Sequence, residues 1–188
     1  MLKHIEEFGK YVAITGFRNA KIKDIEGFLK KIGKEKQPSI EIQFFDAQLV
    51  ATWQHLYFAA LNALTAFANG DNISKSLAME TMLYASAQRQ IRKATELVGI
   101  KHDSSNIATL VIDEKPETAE SALSMISKHL GAKRDDNVLG LSEEKMATIQ
   151  KKFGISDLEL ETVTKKDSLE KALTNLVIEH MALLAIQR

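Results

Sequence analysis

The sequence predicts a single mixed α/β domain over residues 1–188, in which a small mixed sheet packs with several helices. Runs of β-branched and aromatic residues that stop at polar residues predict strands at 11–17, 40–45 and 106–112. Apolar residues at helical spacing fill the segments between and after these runs. A strand, a helix and a strand within the first 45 residues favour a layered arrangement over a helical bundle.

In the first half of the chain, apolar residues recur at helical spacing from Ile25 to Ile32, and Gly33 is a suitable stop. Residues 34–39 are predicted to form a loop. The segment 48–69 is the longest apolar helical stretch, and it is apolar on most sides. A helix of that kind lies in a core or under a partner.

The second half is predominantly helical. After the break at 69–72, Ser74 or Ser76 can cap a helix at 77–87 that continues or kinks into 88–98. Further helices are predicted at 117–130, 142–153 and 168–186, with a short extended piece at 138–141. We find no repeat, low-complexity tract or linker, so one domain is the simplest account.

Charge and composition exclude several classes of protein. The chain has 25 Lys and Arg against 25 Asp and Glu, so any polyanion site must be local. Two stretches, 18–36 and 88–101, are locally basic. The absence of cysteine excludes disulfides, thiolate catalysis and cysteine-based metal sites. The N-terminal residues lack the pattern of a signal peptide and no stretch is long enough to span a bilayer, so we expect a cytoplasmic protein.

The sequence carries no recognisable catalytic motif. Phosphate loops, nucleophile elbows and zinc-protease signatures are all missing, and the five histidines are scattered. His55 and His180 lie on apolar helices and are interpreted as buried or interface histidines. We therefore predict no catalytic residue, no metal site and no cofactor.

The unusual stretch is residues 72–92, where a strongly apolar helix contains one acid, Glu80. A buried acid is costly unless it is paired, and Arg89 is a candidate partner through a bend. Two interpretations stay open: a buried polar cluster that fixes a helix–helix junction, or a site that offers cations to phosphates. In the second, Lys75, Arg89 and Arg92 are the donors, while Ile73 and a nearby aromatic residue take a base.

These residues resemble a known family. The run Asp46-Ala-Gln-Leu-Val-Ala51, then His55, Asn72-Ile73, Met79-Glu80 and above all Ser86-Ala-Gln-Arg-Gln-Ile91 resemble the kinase-binding subunit of the KEOPS complex, known in animals as PRPK-binding protein. The similarity is densest from about residue 44 to residue 101. The family usually has glycine where this chain has Ala87, which raises the question of whether that position needs a positive φ angle.

The resemblance implies a non-catalytic subunit that docks on a small kinase-like ATPase and binds the single-stranded 3′ CCA end of tRNA, as archaeal members do. The complex attaches threonylcarbamoyl to adenosine in tRNA. The candidate tRNA-binding residues carried over from the motif are Asn72, Ile73, Lys75, Ser86, Arg89 and Gln90; Arg92 and Lys93 are added on electrostatic grounds. For the kinase, the last helix near Leu176, His180 and Leu184 is the candidate surface.

Two other functions compete with this hypothesis. In the first, the chain is purely a protein-binding scaffold or regulator of the kinase subunit, the polar cluster is structural, and other subunits contact tRNA. Binding of tRNA with and without the terminal CCA separates the two. The second, an enzyme acting on a small ligand, requires a pocket with convergent titratable groups.

Overall fold

A computed structural model describes residues 1–164 and 167–186, except for the side chains of residues 185 and 186. Within that part, four strands form one sheet in the order β1-β2-β4-β3, and every neighbouring pair is antiparallel. The strands are β1 (Leu2–Ile5), β2 (Lys10–Phe17), β3 (Glu41–Asp46) and β4 (Ile107–Asp113). The mixed α/β class is confirmed, but the sheet that we predicted as mixed is antiparallel throughout.

The prediction of a strand, a helix and a strand at the start of the chain is confirmed as β2, α1 (Ile25–Glu35) and β3. Both strands are antiparallel to β4, which lies between them, so they run parallel to each other without touching. This is a split βαβ unit, which explains how a crossover helix and an antiparallel sheet occur together. Strand β1 was missed because its four residues include Lys3 and His4 and lack a β-branched run.

The other helices are α2 (Trp53–Asn69), α3 (Leu77–Ala85), α4 (Ile91–Val98), α5 (Pro116–Leu130), α6 (Glu143–Phe153), α7 (Asp157–Thr164) and α8 (Leu169–Ile186). The helix predicted at 77–87 does not continue directly into 88–98, because α3 ends at Ala85 and α4 begins at Ile91. The extended piece predicted at 138–141 is wrong, because a 3₁₀ turn spans Asp136–Leu139. Helix α7 was not predicted; none of its residues is buried, so its apolar positions give little pattern.

Helices cover both faces of the sheet. One face, which we call the α2 face, packs Val12, Ile14 and Leu110 against helices α2, α3, α4 and α8. The opposite face, which we call the α5 face, packs Phe17 and Val111 with helices α1 and α5. Since every residue of β4 is buried, this strand is the centre of the molecule.

A third, smaller cluster joins helices α6, α7 and α8 beside the α2 face. Next to it lies Lys145 of α6, only 4% exposed, whose Nζ donates to the backbone oxygens of Val138 and Gly140, both at 3.0 Å. Burial lowers the pKa of Lys145 to about 8, and the charge of Asp46 partly opposes this shift. The lysine therefore fixes the 3₁₀ turn to α6 by hydrogen bonds.

Candidate nucleic-acid interface

The acid of the apolar helix α3 is hydrogen-bonded to the loop that precedes it. Glu80 is 1% exposed, and its Oε2 accepts hydrogen bonds from the backbone nitrogens of Ile73 at 3.0 Å and Ser74 at 2.7 Å. Charge-assisted bonds of this kind are among the stronger ones in proteins. The cost of burying the carboxylate is thus offset by two backbone donors. The sequence hypothesis that Arg89 pairs with Glu80 stays a prediction.

Further bonds shape the same loop. The side-chain amide of Asn72 donates to the backbone oxygen of Ser74 at 2.9 Å. Ser76 is the N-cap of α3, as one of the two predicted options, and its Oγ accepts from the backbone nitrogen of Met79 at 3.3 Å. With its backbone held in this way, Ile73 is left 43% exposed. We call residues 72–76 the Ile73 loop.

Helix α3 ends in a turn that requires a left-handed residue. The backbone nitrogen of Ala87 donates to Tyr84 O at 2.8 Å, and that of Gln88 donates to Leu83 O at 3.0 Å. These two bonds define a Schellman motif, whose left-handed position is usually glycine. Here that position is Ala87, with a φ of 50°. The position therefore needs a positive φ, and alanine there costs about 1 kcal/mol or more.

Ser86, predicted to contact RNA, is 1% exposed, and its Oγ donates to Leu83 O at 3.0 Å. The side chain therefore completes the turn, which corrects the expectation of an exposed hydroxyl, although Ser86 lines a pocket together with Ala87 and Gln88.

The end of α3 is also hydrogen-bonded to His55 of α2, which is fully buried. Nδ1 of His55 accepts from the backbone nitrogen of Ala51 at 3.1 Å. The proton is therefore on Nε2, which donates to Ala85 O at 2.8 Å. Burial lowers the pKa of His55 to about 4. The interpretation of His55 as a buried histidine is confirmed.

The cations predicted after the turn lie at the surface. Arg89, Gln90, Arg92 and Lys93 are all exposed. The Nε of Arg92 lies 3.3 Å from Glu96 Oε1 one turn on, with 88% of the Arg92 side chain exposed. Exposed ion pairs of this kind contribute little energy, so Arg92 can exchange its partner for a phosphate at low cost.

The predicted RNA-binding residues therefore form two groups at the two ends of one short helix. Asn72, Ile73 and Lys75 precede α3, while Arg89 and the residues of the first turn of α4 follow it. Nine helical residues at 1.5 Å each separate the groups by about 13 Å. The arrangement suits an extended single strand better than a compact ligand, because the two groups lie at opposite ends of the helix.

The predicted partner surface on α8 needs a correction. Leu176 and Leu184 are 5% and 4% exposed and belong to the chain's own core. His180 is partly exposed, and its Nε2 lies 3.8 Å from Oε1 of Glu159 on α7. The spacing of apolar residues in α8 correctly predicted which face of the helix is apolar. It could not show what covers that face, because a face buried against the chain's own helices has the same pattern as one buried against a partner.

The apolar side chains that α7 and α8 leave in solvent are different ones. Leu158 is 73% exposed and Leu183 is 45% exposed, and both line a groove between the two helices. Leu176 forms part of the wall of this groove, and Glu159 and Glu179 are its acids. Sequence analysis missed Leu158 because α7 was not predicted.

The described residues contain no group of three or more His, Cys, Asp or Glu placed to hold a metal ion. None of the described helices combines the length and the hydropathy needed to cross a bilayer.

Comparison with known proteins defines the class: the family model of kinase binding protein CGI-121 matches residues 18–185. The chain is also 34% identical over 116 residues to the regulatory protein Cgi121 of Methanocaldococcus jannaschii, an alignment that covers 62% of this chain and 72% of that protein. The chain belongs to the CGI-121 family of kinase-binding regulatory proteins.

Proposed function

We propose that this chain is a non-catalytic subunit of the KEOPS complex, which makes threonylcarbamoyl-adenosine in tRNA, and that it acts in the cytoplasm. In this role it binds the kinase-like ATPase subunit and the 3′ CCA end of tRNA. One observation carries the RNA part of the proposal. The loop before α3 exposes an apolar side chain, Ile73, and a cluster of exposed cations lies beyond the other end of the helix.

The chemistry of this surface fits single-stranded RNA. Unpaired bases bind to apolar or aromatic side chains, while a few cations hold the phosphates. Ile73 supplies the apolar contact, and Lys75, Arg89, Arg92 and Lys93 supply the cations. A protein with equal numbers of acidic and basic residues can bind RNA in this way, because the attraction is local.

Support for a kinase partner comes from the family and from the exposed leucines. A protein interface is built around a few apolar anchors at its centre. The groove between α7 and α8 offers Leu158 and Leu183, with His180 at its edge. We therefore move the proposed docking surface from Leu176 and Leu184 to these exposed residues of the same region.

Charge reversal tests the RNA-binding part of this function. Arg89→Glu and Lys93→Glu should each weaken binding of labelled tRNA to the isolated protein by about tenfold or more at one fixed salt concentration. Lys30→Glu is the matched control, because Lys30 is also exposed but lies on α1, in the other basic stretch. The isolated protein should show no ATPase or transferase activity of its own.

The results separate the proposal from its main alternative. If the control binds as the wild type does and the two variants do not, the surface around α3 is the RNA site. If the wild-type protein binds the kinase-like ATPase but no tRNA, the chain is a protein-binding scaffold. If all three variants lose affinity equally, the binding is non-specific attraction and the proposed site is wrong.

A further inference from the structure

The structure holds an apolar side chain in solvent by means of a buried acid. Ile73 is 43% exposed, although burying an isoleucine would stabilise the fold. Its backbone nitrogen and that of Ser74 both donate to Oε2 of Glu80, at 3.0 and 2.7 Å. These bonds fix the backbone on both sides of the Ile73 side chain. A change of the loop backbone at Ile73 would therefore cost at least one charge-assisted bond.

We propose that Glu80 is a positioning residue for RNA recognition: it holds Ile73 at the surface in the conformation that contacts an unpaired base, and it does not itself touch RNA. This inference rests on the proposed function. Glu80 is 1% exposed, so phosphates do not meet its negative charge. A loop that is already ordered before binding loses less conformational entropy when RNA binds, and the affinity rises accordingly.

A purely structural role for Glu80 is the competing explanation. Glu80 lies in the first turn of α3, where the helix dipole favours a negative charge. In that case its replacement would reduce stability without acting through Ile73. The two explanations differ in whether the effects of Glu80 and Ile73 on RNA binding are coupled.

A double-mutant cycle measures that coupling. The tRNA affinity is compared among the wild type, Glu80→Gln, Ile73→Ala and the double variant. Glu80→Gln keeps the shape of the side chain but removes its charge, and should weaken binding about tenfold, since neutral hydrogen bonds are roughly half as strong. If Glu80 acts through Ile73, the double variant should bind no more weakly than Ile73→Ala alone. The dependence of affinity on salt should stay that of the wild type, because no phosphate contact is lost.

Glu41→Gln is the matched control. Glu41 of β3 is also an acid beside α3, and its Oε2 accepts from Ala78 N at 3.3 Å and from Ser76 Oγ at 3.5 Å. Ser76 is the last residue of the Ile73 loop, and neither bond involves the backbone nitrogens that Glu80 holds. The Glu41→Gln variant should bind tRNA as the wild type does. Amide hydrogen exchange of Ile73 and Ser74 should accelerate in Glu80→Gln while the amides of β4 stay protected, which shows that only the loop has loosened.

Additive losses of tRNA affinity in the double variant would overturn the inference. It would also be overturned if the loop amides of Glu80→Gln exchange faster while its affinity for tRNA stays that of the wild type. If Glu80→Gln does not fold, Glu80→Asp is the second variant, because it draws the carboxylate back from the backbone nitrogens of Ile73 and Ser74. Its loss of affinity should likewise disappear in the Ile73→Ala background, and an additive loss contradicts the inference. Failure of the wild type to bind tRNA is a separate outcome, which would refute the proposed function and the inference together.

Discussion

The two faces of the sheet are built differently. On the α5 face, helices α1 and α5 pack through aliphatic and aromatic residues, and the buried polar residues Thr109 and Asp113 belong to the regular strand β4. Two polar contacts also hold this face: Nε2 of His129 on α5 lies 2.7 Å from Oε2 of Glu35 on α1, and Oγ1 of Thr118 on α5 donates to Oδ2 of Asp113. Both contacts join one side chain to another.

On the α2 face, His55 and Glu80 are buried and bond to backbone atoms at the two ends of α3. Nε2 of His55 donates to the oxygen of Ala85, the last residue of the helix, and Oε2 of Glu80 accepts from two nitrogens of the loop before it. The α2 face therefore has two polar anchors, His55 and Glu80, which fix the backbone at the ends of α3.

Breaking the α5 face should produce the largest loss of stability and no direct effect on RNA binding. Ile126 of α5 is 0% exposed, and Ile126→Ala should lower the free energy of unfolding by about 3–4 kcal/mol, through lost burial and the cavity left behind. Ile126→Val, the smaller truncation, should cost about 1 kcal/mol. Urea denaturation measures both. At a temperature where each variant is folded, its tRNA affinity should equal that of the wild type; a loss would mean that the two faces are not separable.

The polar anchors of the α2 face should make stability depend on pH. The pKa of His55 is about 4 in the folded protein and near 6.5 in the unfolded chain, so the unfolded state binds the proton first as the pH falls. The free energy of unfolding should therefore decrease by about 3 kcal/mol between pH 6.5 and pH 4, and this contribution is fully present above pH 6.5.

Comparison with His55→Gln isolates this contribution. The variant should be less stable than the wild type at pH 7.5 but should lose less stability on acidification. His102→Gln, which changes an exposed histidine, is the control and should follow the wild-type pH profile. If the free energy of unfolding changes with pH in the same way in the wild type and in His55→Gln, His55 is not a buried neutral anchor.

The smallest expected effect concerns the strained turn at the end of α3. Ala87→Gly relieves the cost of a positive φ but makes the unfolded chain more flexible, so the free energy of unfolding should rise by about 0.5–1 kcal/mol. Ala182→Gly, at an exposed position inside α8, should lower it by about 1 kcal/mol. Thermal unfolding measures both changes. A more stable Ala87→Gly and a less stable Ala182→Gly would support the Schellman geometry, whereas a loss of stability in both variants would show that Ala87 is unstrained.

The regular elements were predictable because their signals are local. The β-branched runs predicted β2, β3 and β4, and apolar spacing predicted α2 and α8. Strand β1 exists because it pairs with β2, with Leu2 opposite Ala13, a contact that its own four residues do not encode. Helix α7 has too few buried positions to show a period.

The candidate site was predictable as a motif but not as a geometry. The run from Ser86 to Ile91 marked the turn, yet only the structure shows that Ser86 is buried and that Ala87 has a positive φ. The partners of Glu80 could not be found from helical spacing, because they are backbone atoms of a loop. For Leu176 and Leu184, the apolar pattern could not distinguish the chain's own core from an interface.

The central claim, that this member of a kinase-binding family also holds the end of tRNA, is tested most directly by one comparison. The affinity of the isolated wild-type protein is measured at fixed salt for intact tRNA and for the same tRNA without its terminal CCA. A loss of tenfold or more on removal of the CCA is the result that the account predicts. Equal affinity for the two RNAs, or no binding to either, would contradict it.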